Sequence, residues 1–313
     1  MRITPLLRWF LLAATPAIFA ATADPTESLA GVIDFHCHSS PDTVSRSINS
    51  FEVVRQARAA GMRGLVLKNH FVSTAALAQL AMQEVGGIEV FGGIVLNRSA
   101  GGINAEAVRR MTQVEGHRGK IVWLPTFDAE NQVRFSHEDR PFVAVVKDGK
   151  PVPALAEIFQ LAADNDVIFA TGHSSPAESL IVLAAAKQAG VKRLLVTHVL
   201  SDSTHATIEQ MKRMAELGAV MEFTWLAHIG GVAGPIPTAR ASKAVPVSEA
   251  ARAIHEVGAE HFLISSDLGQ ANNPVHTVGL RMFITALRAE GITDRELELV
   301  TRQNPARLLG LDP

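Results

Sequence analysis

The chain has 313 residues, 47% of them apolar and 19% charged, enough for one large domain with a sizeable core. Its 29 Lys and Arg against 31 Asp and Glu leave a net charge of −2, which speaks against a nucleic-acid or polyanion binder. One cysteine excludes an intramolecular disulfide framework and a cysteine-cluster metal site, while twelve histidines and no tyrosine direct attention to the imidazoles.

The amino terminus reads as a targeting segment. Arg2 and Arg8 precede an apolar run over residues 9–20 that is broken by Pro16, and Ala21-Thr22-Ala23 then offers a small-residue cleavage pattern before Asp24. The run is too short for a stable membrane anchor, and no cysteine stands at the cleavage site to take a lipid. A signal peptide over 1–23 and a single domain over 24–313 are expected, with a periplasmic or secreted location.

Eight apolar or β-branched runs follow, at residues 32–38, 64–70, 90–96, 120–127, 167–173, 194–199, 219–225 and 262–267. Their lengths suit buried parallel strands, not helices. Helical stretches fall between them. Ser50 reads as an N-cap with Gly61 closing that helix, and Ser175-Pro176-Ala177-Glu178 reads as a capping box with Gly190 at the far end. Gly218, Gly258 and Gly291 end three more. Eight strands each followed by a helix predict an α/β fold, a single-domain (β/α)8 TIM barrel, with a doubly wound open sheet as the alternative. Residues 141–152, centred on Asp148-Gly149, predict a small hairpin inserted after the fourth strand. Residues 227–247, rich in Gly and Pro and carrying His228, Arg240 and Lys243, read either as a lid or substrate loop or as a plain solvated connection.

Barrel strands deliver their last residues to the mouth where such folds keep their chemistry. The first run ends in His36-Cys37-His38, whose alternation sends both imidazoles to one face and Cys37 into packing. The second ends in Lys68-Asn69-His70, the fifth in His173, the sixth reaches His198 and the eighth ends in Asp267. A single strand-end histidine is usually structural. Five of them with a carboxylate at one rim are what a borderline divalent cation such as zinc requires.

These residues resemble the amidohydrolase superfamily of metal-dependent hydrolases. His-x-His on the first strand, His on the fifth and sixth, and Asp on the eighth match that pattern in order over essentially the whole mature chain, and the tail from Asn304 to Gly310 is similar to that of many members. The resemblance implies that His36, His38 and Asp267 bind one divalent ion, that His173 and His198 bind a second, and that Asp267 takes a proton from the attacking water. One or two metals per chain, zinc foremost, are the expected cofactors.

The sequence departs from that pattern on the fourth strand, where no Lys or Glu stands ready to bridge two metals. Lys68 on the second strand could carry a bridging carbamate, could pair as an ammonium with an anionic substrate, or could be structural. His70, Asn97, Trp123 and Trp225 are candidate substrate contacts. Arg98 and Thr126 fall on the same rim, and Glu222 reads as a satisfied interior group. His205 and His276 follow strands; His117, His137, His255 and His261 read as surface residues. The expected activity is hydrolysis of an amide, lactam, ester, lactone or related bond in a small organic molecule. A mononuclear decarboxylase and a non-catalytic metal-binding or ligand-binding barrel are the alternatives. No nucleic-acid or stable membrane partner is expected, and self-association into a homo-oligomer is left open.

Overall fold

The computed structural model describes residue 24 and residues 26–230 and 243–312. The expected signal peptide at 1–23, and Arg240 with the rest of 231–242 in the 227–247 segment, lie outside the described residues. Eight parallel strands pair in chain order: β1 Ile33–Cys37, β2 Gly64–Leu67, β3 Glu89–Val95, β4 Gly119–Trp123, β5 Ile168–Ala170, β6 Leu194–Val196, β7 Val220–Thr224 and β8 Phe262–Ser265. The ring closes just past the end of β8, where the Asp267 N–H donates to the His36 carbonyl and the His38 N–H to that of Leu268, both at 2.9 Å. The buried carboxylate of Asp34 reinforces this seam by accepting the Ser266 N–H at 2.9 Å. This is the expected TIM barrel.

The helices are α1 Ser50–Ala59, α2 Ala75–Val85, α3 Ala105–Thr112, α4 Glu130–Phe135, α5 Leu155–Asp164, α6 Pro176–Gln188, α7 Ile208–Glu216, α8 Trp225–Ile229, α9 Val247–Val257, α10 His276–Ala289, α11 Asp294–Glu298 and α12 Asn304–Leu309. No described helix is long and apolar enough to cross a membrane. The capping box at Ser175 is present, with the Ser175 hydroxyl facing the Glu178 N–H and the Glu178 carboxylate accepting the Ser175 N–H. At α1 the cap is one residue earlier than expected. Asn49 Oδ1 accepts the Glu52 N–H at 2.9 Å, whereas Ser50 opens the helix and donates its hydroxyl to the Ser40 carbonyl. The hairpin pairs Val146–Lys147 with Lys150–Pro151, and both turn residues, Asp148 and Gly149, have positive φ, as a two-residue turn between twisted strands requires.

Two hydrophobic layers result from the alternation of the strands. Val66, Phe91, Ile121, Trp123, Ile168, Ala170, Leu195 and Leu263 fill the barrel interior, while their neighbours Leu65, Val122, Phe169, Leu194, Met221 and Phe262 pack outward against the helices. Each fully buried large apolar side chain contributes roughly 1.5–3 kcal/mol. The C-terminal helix α12 joins the interior layer with Ala306, Leu308 and Leu309, and Asn304 ties it down by donating to the Ala259 and Phe262 carbonyls at 2.8 and 2.7 Å.

One strand breaks the alternation. Relative to β2, β1 carries an extra residue between Asp34 and Cys37. This bulge lets Ile33 and Phe35 fill the interior while His36 and His38 also face inward and Cys37 packs outward. Strict period two from the histidines would have placed Phe35 outside.

Candidate metal centre

The strands end earlier than the apolar runs do, so every strand-end ligand candidate except His36, which lies within β1, sits on the first turn beyond its strand at the C-terminal mouth. Two of those turns depend on glycine. At Gly269 (φ +121°) a β-carbon would lie 2.0 Å from the His38 carbonyl oxygen, and at Gly172 (φ +59°) one would lie 2.3 Å from that of Leu124. Both turns let a ligand-bearing loop approach its neighbour closely. His198 and Asp267 themselves have φ of 27° and 54°, left-handed values that are uncommon for residues with a side chain.

His36, His38 and Asp267 form a nearly equilateral triangle. His36 Nε2 and His38 Nε2 are 3.2 Å apart, and each is 3.1 Å from Asp267 Oδ1. A tetrahedral ion held at about 2.0–2.1 Å from its ligands separates them by about 3.3 Å, so the three atoms fit one divalent cation. His173 Nε2 and His198 Nε2 stand 3.1 Å apart as a second pair, and the His36 and His198 rings are 6.0 Å apart, so the two groups adjoin.

Each of these four histidines has its Nδ1 engaged on an acceptor, which leaves Nε2 free to take a metal. His38 Nδ1 donates to the Lys68 carbonyl at 3.0 Å, and His36 Nδ1 to the Glu222 carboxylate at 3.3 Å. His173 Nδ1 donates to Gln132 Oε1 at 2.9 Å. The Thr204 hydroxyl gives its hydrogen to the His198 carbonyl and so accepts from His198 Nδ1 at 3.4 Å. Burial holds all four imidazoles neutral. It lowers His36 to about 3 and His198 to about 4, with the Asp267 carboxylate opposing the shift in both, and it takes His38 and His173 well below the usual range.

Sequence reading gave Glu222 no part in the site. It is the single charge on β7, and its carboxylate links three ligand-bearing elements: it accepts from His36, from the Ser265 hydroxyl at 2.6 Å and from the His198 N–H at 3.1 Å. Burial raises its pKa. Gln132 on the short helix α4 was likewise not singled out, and its polar position on a half-buried turn offered no motif. Arg46, ion-paired with Asp42 at 2.7 Å, adds positive charge that helps keep His38 neutral.

Lys68 is fully buried on the inner face, its Nζ 5.1 Å above the Trp123 ring and without a hydrogen-bond partner among the described residues. Burial lowers its pKa to about 8, against the pull of the Asp267 and Glu222 carboxylates. His70 stacks on His38 with ring centroids 4.7 Å apart. Trp123 fills the barrel interior beneath Lys68, and Thr126 joins His70 and Asn97 in one hydrogen-bond network. Asn97 is buried with its amide fully engaged on the backbone and Thr126, so it braces the β2, β3 and β4 loops. Trp225 opens α8 and packs on Phe283 and His228 at 5.4 and 6.0 Å, in the outer layer and not on the histidine cluster. His276 is buried near the Asp34 carboxylate, and His205 is half-exposed and 3.2 Å from Glu249.

No curated protein matches the sequence. Solved structures share the barrel at low identity. An organophosphorus hydrolase from Deinococcus radiodurans is 15% identical with a TM-score of 0.56, over 90% of this chain and 93% of that one. An amidohydrolase from Pseudomonas aeruginosa is 12% identical with a TM-score of 0.59, over 90% and 95%. An amidohydrolase from Burkholderia multivorans, solved with bound zinc, is 12% identical with a TM-score of 0.57, over 90% and 100%. These neighbours are amidohydrolase-superfamily enzymes, and at such identities the likeness is one of fold. A family model matches residues 31–222, which contain four of the five histidine- and aspartate-bearing strand ends, and the chain belongs to that family, the family of unknown function DUF6282.

Proposed function

We propose that the protein is a metal-dependent hydrolase that cleaves an amide, ester, lactone or related bond in a small organic substrate. The observation behind this reading is the convergence of four histidine Nε2 atoms and Asp267 Oδ1, each histidine held in the ligating tautomer by its own Nδ1 acceptor. A divalent cation bound there supplies Lewis acidity and lowers the pKa of a water towards about 7. Asp267, at 3.1 Å from both His36 and His38, is placed to accept the proton released as water attacks and to hand it to the leaving group. A mononuclear decarboxylase would leave the His173–His198 pair larger than its needs.

In the same reading Lys68 carries a carbamate. With a pKa near 8, about a tenth of its amine is unprotonated at pH 7, far more than for an exposed lysine, and can attack CO2. The N–C bond forms, a proton leaves to solvent, and the two new oxygens supply the bridging carboxylate missing from the end of β4. Lys68→Ala then loses metal and activity, and short carboxylic acids restore part of both. Full retention of two metals per chain in that variant would exclude the bridge. The proposal includes a cleaved leader at 1–23 and export to the periplasm or beyond, and N-terminal sequencing of the exported protein is expected to begin at Asp24. A screen of lactones, esters and amides with zinc-loaded and chelator-treated protein tests the reading. Hydrolysis that requires the metal and is lost in Asp267→Asn supports it, and hydrolysis indifferent to both contradicts it.

A further inference from the structure

Five histidines gather at the mouth, but one is wired differently from the other four. Asn97 Oδ1 accepts two backbone N–H groups, those of Thr126 at 2.8 Å and Asp128 at 3.2 Å. Backbone amides can only donate, so the orientation of this side-chain amide is settled and its nitrogen points the other way. That nitrogen donates to the His70 carbonyl at 3.0 Å and to Thr126 Oγ1 at 2.8 Å. The Thr126 hydroxyl therefore already accepts one hydrogen bond. Its remaining partner among the described residues is His70 Nδ1 at 2.9 Å, and the group is fully buried, so its own hydrogen goes there. Thr204 makes the opposite arrangement under His198, because its hydrogen is taken by a carbonyl.

We infer that His70 is the hydrogen-bond donor of this site, its proton fixed on Nε2 by the Asn97–Thr126 relay, and that it binds the electron-rich oxygen of an acyl or phosphoryl substrate. The inference rests on the reading of the site as a hydrolytic metal centre. The ring lies against His38 at 4.7 Å and 6.4 Å from His173, so it borders both metal-ligand groups without sharing their tautomer. Phe127 and Phe71, both part-exposed, flank it with centroids at 4.0 and 6.2 Å. They give the oxygen-binding edge an apolar wall. The chemistry recognised is a polar oxo group on an apolar body, and Asn97 is a positioning residue that never touches it.

Two measurements decide this. In metal-free protein labelled with ¹⁵N-histidine, long-range ¹H–¹⁵N NMR reads which ring nitrogen bears the proton, with the His70 signal identified by its loss in His70→Phe. The expected result is a proton on Nε2 for His70 alone among the five, passing to a mixture of tautomers in Thr126→Val. A His70 proton on Nδ1 in the wild type overturns the inference. In zinc-loaded protein, inorganic phosphate serves as the oxyanion probe, and His70→Phe binds it at least about tenfold more weakly with zinc content unchanged. Phosphate affinity unaffected by the substitution, no phosphate binding by the wild type, or loss of zinc in the variant would each overturn the donor role. Because the tautomer is read without metal or turnover, its failure is distinguishable from failure of the hydrolase reading.

Discussion

At the scale of single residues, the four ligand imidazoles are neutral and kept in fixed tautomers by hydrogen-bond acceptors on Nδ1. Glu222 has the most consequences, since it orients His36 and also ties down the strained His198 backbone. Glu222→Gln keeps the shape but can turn a donor towards His36, and the expected loss in zinc affinity by chelator competition is about 10–100-fold. An unchanged affinity would mean that Glu222 only packs. Acid sensitivity follows from the same residues. Burial lowers the pKa of His36, His38, His70, His173, His198, His228 and His276, and unfolding returns each to about 6.5. Below that pH the unfolded chain binds protons that the folded one excludes. Stability of the metal-free protein therefore falls as pH drops below about 6.5, for as long as each histidine stays neutral, down to about pH 4 for His198 and about 3 for His36. Asp34 and Glu222, whose pKa values burial raises, work in the opposite direction, but they are two against seven. Thermal melts at pH 7 and pH 5.5 check the sign: Tm is lower at the acid value.

At the scale of elements, strand ends and turns place the ligands. Gly269→Ala forces a β-carbon to within 2.0 Å of the His38 carbonyl on a backbone at φ +121°, and a loss of more than about 2 kcal/mol is expected in denaturant melts. Ser175→Ala, which removes one half of a capping box on α6, costs about 1 kcal/mol and leaves metal binding intact. Much of this level was legible in the sequence. Strand positions, the hairpin turn at Asp148-Gly149 and the cap at Ser175 follow from apolar runs and local hydrogen-bonding chemistry that need no tertiary information. The bulge in β1 was not legible, because Phe35 suits either face and only the packed barrel decides. Asn49 and Ser50 are both good caps, and the choice was made by Ser40, whose carbonyl takes the Ser50 hydroxyl. Trp225 was expected at the rim because it ends the seventh apolar run, but the strand stops at Thr224 and the chain turns into α8, which carries the indole outward.

At the scale of the whole molecule, the barrel brings together residues that lie as far apart in sequence as His36 and Asp267. The ligand candidates could be named beforehand because each ends a strand. Their supports were harder to read: Thr126 stood out only as a rim residue and Glu222 only as an interior group, while Gln132 and Thr204 carried no signal, because all four acquire their roles from what lies across the barrel mouth. The central claim is that this convergence holds divalent cations. Metal-free protein titrated with zinc, with stoichiometry by elemental analysis and ion position by anomalous scattering, tests it directly. The account predicts at least one tightly held ion per chain among His36, His38 and Asp267, abolished in His38→Ala. Zinc bound no better by the wild type than by that variant, or seated elsewhere on the molecule, would contradict it.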